Sequence, residues 1–65
     1  MKILLNGKER EIEASNLKLA LEECGYAEAV VATAVNGNFV RKTARANAKL
    51  TEGDRLEVLA PMQGG

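Results

Sequence analysis

Lys2-Ile3-Leu4-Leu5-Asn6-Gly7-Lys8-Glu9-Arg10-Glu11-Ile12 is the stretch that decides the fold. A short apolar run leads into Asn-Gly, the dipeptide that best accepts the left-handed backbone of a two-residue hairpin turn. The return segment, Lys8 to Glu13, is charged and has Ile12 as its clearest inward residue. These residues predict a β-hairpin, and a hairpin alone is marginal in water until something covers its apolar face.

The cover comes next in the chain. Ser15 or Asn16 can cap a helix through a side-chain oxygen. Leu17, Ala20, Leu21 and Cys24 then fall at i, i+3, i+4 and i+7, one apolar stripe, and Gly25 supplies a left-handed stop. Glu22 and Glu23 lie off the stripe, as does Leu19. A helix of two to three turns does not persist alone, so it must pack on a sheet.

Outward from that core, Val30 to Val35 reads as a β-branched strand entering a second Asn-Gly, Asn36-Gly37, and returning through Asn38-Phe39-Val40-Arg41. Both Asn-Gly pairs are read as turn chemistry alone. Lys42 to Lys49 has weak periodicity and predicts a loop with one helical turn. Thr51-Glu52-Gly53-Asp54 is a turn, and Arg55-Leu56-Glu57-Val58-Leu59 a last strand with Leu56 and Val58 on one face. The order is β-β-α-β-β-β, or four strands if the short one fails. One mixed sheet of four to five strands with a helix on one face buries a single helical stripe economically, which makes the class α+β.

Composition bounds the function. A chain of 65 residues holds one domain, placed here at 1–61 with 62–65 as a flexible tail. Nine basic side chains balance nine acidic ones, which argues against a phosphate-backbone binder, so no nucleic-acid partner is expected. No apolar run approaches the roughly 18 residues that cross a bilayer, so no membrane partner is expected either. A single cysteine allows no intrachain disulfide, and a cytoplasmic location is expected. There is no histidine to activate Cys24, which lies on the apolar stripe and is read as packing. No metal-ligand spacing and no phosphate loop appear, and a non-enzyme with no bound cofactor is expected.

Chemistry concentrates instead in Ala60-Pro61-Met62-Gln63-Gly64-Gly65. Pro61 cannot donate to a ladder, so pairing should stop near it. Glycines suit a tail that must enter a narrow slot, because they have no Cβ to clash. A terminal carboxylate with a pKa of about 3.5 is an anion at neutral pH and can attack the α-phosphate of ATP. If Ile3, Leu5, Leu56 and Val58 face the helix, Leu4 and Leu59 face away, where with Pro61 and Met62 they offer a docking patch.

The opening Lys2-Ile3-Leu4-Leu5-Asn6-Gly7, the Leu21-Glu22-Glu23 helix, Val35-Asn36-Gly37 before Phe39-Val40, Glu52-Gly53-Asp54-Arg55-Leu56-Glu57-Val58, and Gly64-Gly65 together resemble the ThiS/MoaD ubiquitin-like family of sulfur carriers. The resemblance implies a β-grasp fold, in which the first and last strands pair in parallel. It further implies adenylation of Gly65 by a ThiF- or MoeB-like adenylyltransferase using ATP, sulfur from a donor such as a cysteine desulfurase, and delivery as a thiocarboxylate to a ThiG-like thiazole synthase. Similar chains often carry Pro just after the equivalent of Phe39-Val40, where this one has Arg41 and Lys42. The Ala60-Pro61-Met62-Gln63 approach is similar to that of the molybdopterin synthase small subunit. Two other uses of the same tail therefore stand beside thiamine: molybdopterin sulfur transfer and conjugation to lysines as a protein modifier.

Overall fold

A computed structural model describes residues 1–60, and the expectations for Pro61, Met62, Gln63, Gly64 and Gly65 lie outside the described residues. Strands β1 (Lys2–Leu5) and β2 (Lys8–Glu11) form the first hairpin, with Leu4 opposite Glu9 and Leu5 opposite Lys8. Ile12 extends the pairing by one rung: its N–H donates to the Met1 carbonyl (2.8 Å) and the Met1 ammonium donates back to the Ile12 carbonyl (2.7 Å). Helix α1 (Leu17–Glu23) starts at Asn16, whose Oδ1 accepts from the Leu19 N–H at 2.9 Å. It buries Leu17, Ala20 and Leu21, while Leu19 is exposed. Cys24 is the C-cap and half-buried, at the end of the stripe and not within it.

The second hairpin joins β3 (Ala32–Val35) to β4 (Asn38–Val40), and a 3-10 helix, Lys42–Asn47, leads back toward β5 (Arg55–Leu59). Strand order is β2-β1-β5-β3-β4. The first and last strands pair in parallel at the centre, Leu4 with Arg55 and Leu5 with Leu56. β3 runs antiparallel along the other flank of β5, from Ala32 opposite Leu59 to Val35 opposite Leu56. This is the β-grasp arrangement.

Strand β3 is shorter than the β-branched stretch suggests. β5 ends at Leu59, which faces Ala32, so the chain before Ala32 has no ladder to join and Val30 is exposed. The core lies between α1 and one face of the sheet: Ile3, Ile12, Leu17, Ala20, Leu21, Leu50, Leu56 and Val58. Burying one such aliphatic side chain contributes about 1.5–3 kcal/mol, and a domain this small has few of them. The Glu23 carboxylate ties the end of α1 to the chain after β2, accepting from the main-chain N–H groups of Glu13 (3.0 Å) and Ala14 (3.0 Å).

Candidate docking face and carrier tail

Alternation along β5 sorts the sheet into two faces. Leu56 and Val58 are buried against α1, and Arg55, Glu57 and Leu59 point the other way. Register carries that sorting across the sheet: Leu4 stands opposite Arg55, Ala34 between Glu57 and Phe39, and Ala32 opposite Leu59. The helix-free face therefore presents Leu4, Ala34, Phe39 and Leu59, with Arg55 and Glu57 among them. Phe39 is 70% exposed and Leu59 67%, while Leu4 is half-buried. Leu4 and Leu59 line one shallow depression with Asn6, Gly37, Arg55 and Glu57.

Of the residues singled out from sequence, Leu4 and Leu59 thus share a surface, whereas Pro61, Met62, Gly64 and Gly65 lie outside the described residues. Phe39 escaped that reading. Its signal was strand parity, since Val40 packs toward the core and its neighbour must point outward.

The end of β5 is held on both flanks. Leu59 pairs with Ala32, and Ala60, the last described residue, lies beside Val30, Val31 and Ala32. The other flank needs a different device because β1 stops at Leu5. The Asn6 N–H donates to the Leu56 carbonyl at 2.9 Å, and the next rung of a parallel ladder would send the Val58 N–H to the main-chain carbonyl of Asn6. The hairpin turns away there, and the side chain takes over. Asn6 Oδ1 accepts from the Val58 N–H (2.8 Å), and Asn6 Nδ2 donates to the Val58 carbonyl (3.1 Å).

Asn36 does comparable work at the start of β5. Its Oδ1 accepts from the Arg55 N–H (2.9 Å) and its Nδ2 donates to Asp54 Oδ1 (3.0 Å). Asp54 also accepts from the Thr51 N–H (2.8 Å) and hydroxyl (3.0 Å). The Asn36 amide and then the Thr51 N–H hold the Asp54 carboxyl below its ordinary range. The two Asn-Gly pairs are therefore more than turn chemistry: their side chains clamp the central strand. Composition could not show this, because it depends on where β5 runs.

Burial pushes the Cys24 thiol above its ordinary range, partly opposed by nearby Arg10, so at neutral pH it stays a protonated, weakly nucleophilic group. No group of three or more His, Cys, Asp and Glu side chains suited to a metal occurs among the described residues.

Comparison with known proteins bears directly on this arrangement. A model of the ThiS family matches residues 3–65. The chain belongs to the ThiS family. It is similar to the sulfur carrier protein ThiS of Thermus thermophilus, 38% identical over 63 residues that cover 97% of this chain and 98% of that one. It is also 36% identical over 66 residues to a thiazole synthase of Paramagnetospirillum magneticum, covering all of this chain but 20% of that protein's length. Among solved structures, the crystal structure of the thiamine biosynthesis protein ThiS from Geobacter metallireducens superposes with a TM-score of 0.85 at 28% identity, covering 100% of both chains.

Proposed function

We propose that this ThiS-family sulfur carrier of thiamine biosynthesis works through the carboxylate of Gly65, as the substrate of other enzymes and not as a catalyst itself. A ThiF- or MoeB-like adenylyltransferase uses ATP to convert that carboxylate to an acyl-adenylate. The terminal sulfur of a donor persulfide, such as that on a cysteine desulfurase, then displaces AMP to give an acyl disulfide. A thiol reductant supplies the two electrons that cleave it, and the thiocarboxylate so released passes its sulfur to a ThiG-like thiazole synthase. The chain itself holds no cofactor in this scheme.

The observation that carries the reading is the family match, which runs to Gly65 through both terminal glycines. The thiazole synthase with a stretch similar to the whole chain supports that enzyme as the acceptor, since a carrier must meet its acceptor closely enough to hand over one atom. Location in the cytoplasm is supported by the lone free cysteine, and no helix among the described residues is long and apolar enough to cross a membrane.

The helix-free sheet face is the docking surface in this reading, with Leu4, Phe39 and Leu59 as apolar anchors and Pro61 and Met62 as further members of the docking set. Accessible apolar side chains sharing one face are what a partner can cover with gain. With the adenylyltransferase and ATP labelled at the α-phosphate, AMP label should transfer to the chain ending in Gly65 and not to the same chain amidated at its C-terminus. Transfer to the amidated chain would place the chemistry elsewhere.

A further inference from the structure

On the other side of the sheet, one pocket is lined by charges that tail chemistry does not use. α1 contributes Lys18 and Glu22, the following loop Tyr26 and Glu28, and the 3-10 helix Lys42 and Arg45, around a cavity of about 230 Å³. Arg45 is only 8% exposed. Its Nε donates to Thr33 Oγ1 at 3.1 Å and its Nη2 to the Val31 carbonyl at 2.7 Å, both neutral acceptors. The salt bridges among the described residues are Met1–Glu11 and Lys2–Glu9, so none neutralises Arg45, Lys18 or Lys42.

A guanidinium keeps its charge at every pH the fold survives, and burying it without a counter-charge is costly. Packing alone would be served better by an aliphatic side chain of similar size. Nη1 takes part in neither hydrogen bond, yet no buried side-chain nitrogen among the described residues lacks a partner. That edge of the guanidinium has no partner among the described residues, and Arg45 lines the pocket.

We infer that this pocket is a seat for an oxyanion, a carboxylate or phosphate group, held by the free edge of Arg45 with Lys42 and Lys18 at the rim. Glu22 and Glu28 line the same cavity, so the formal balance is three cations against two anions and the seat takes a single small oxyanion weakly. Its residues come from α1, the 24–31 loop and the 3-10 helix, and the carrier reaction does not require it.

Inorganic phosphate and, in a separate arm, acetate are titrated into the isotope-labelled full chain at constant ionic strength, with sodium chloride as reference. Saturable shifts are expected at the Arg45 Nε–H and at the amides of Lys18, Lys42 and residues 27–30. Lys42→Ala, at an exposed position, should weaken that binding by about threefold with the melting curve unchanged. Arg45→Met should abolish it, and because that variant can lose its fold, Lys42→Ala and Lys18→Ala are the deciding variants. A response to phosphate alone assigns a phosphoryl ligand, and a response to acetate a carboxylate. Shifts that rise linearly and scatter over all surface lysines, or saturable binding indifferent to both lysine substitutions, would overturn the assignment.

Discussion

At Asn6-Gly7 and at Asn36-Gly37 the backbone adopts the same angles, φ of 51° and then 85°, yet the two asparagine amides go to opposite ends of β5. Asn6 completes a missing ladder rung at Val58, a buried residue near the end of β5. Asn36 holds Arg55 and Asp54, exposed or half-exposed residues where the strand begins. The difference teaches that a turn dipeptide is chosen once for its backbone and again for its neighbour across the sheet. Gly-Gly would form the same turn and leave β5 unclamped.

Replacing each asparagine with alanine breaks the comparison cleanly, because the cost of a left-handed alanine is common to both variants. Asn6→Ala should lose about 3 kcal/mol in urea unfolding, since it also strands the buried main-chain groups of Val58. Hydrogen exchange at the Val58 amide should rise with it. Asn36→Ala should cost about half as much, because Arg55 and Asp54 can turn to water. Equal losses would mean that the turns act through backbone alone.

The pH profile sharpens the contrast further. A carboxyl held low in the folded state stabilises the protein above its unfolded pKa, and that contribution is lost as pH falls through the folded value. For Asp54 the loss should appear below about pH 4. Asn36→Ala should flatten that acid limb and Asn6→Ala should leave it alone, as read from unfolding midpoints across pH. Smallest of all in stability is Leu59→Arg on the open face, expected within about 0.5 kcal/mol of the parent, with weakened binding to the adenylyltransferase. Unfolding of that variant would make Leu59 a core residue and remove it from the docking face.

Much of this was readable from residue pattern. Both hairpins, the helix stripe and the alternation of Leu56 and Val58 follow from local periodicity, and the capping oxygen on Asn16 from residue type. Three features depend on which strands become neighbours, and pattern is silent there. Val30 falls outside β3 because β5 ends at Leu59. Thr33 and Arg45 are buried against each other because Arg45 reaches from the 3-10 helix to Thr33 on β3, and a polar pair gives no hydrophobic period to detect. Leu50 joins the core through main-chain bonds that pin its loop to the helix start, with its N–H on the Ser15 carbonyl at 2.9 Å. On the site, Leu4 and Leu59 were legible from parity, and Phe39 follows by the same parity once Val40 is seen to pack toward the core.

Intact mass after incubation with the adenylyltransferase, ATP, a cysteine desulfurase with cysteine, and a thiol reductant tests the carrier assignment most directly. The parent chain should gain about 16 Da as one oxygen of the Gly65 carboxylate is replaced by sulfur, and the chain lacking Gly65 should gain nothing while melting as before. A gain that survives removal of Gly65, or a parent chain whose mass never changes, would contradict it.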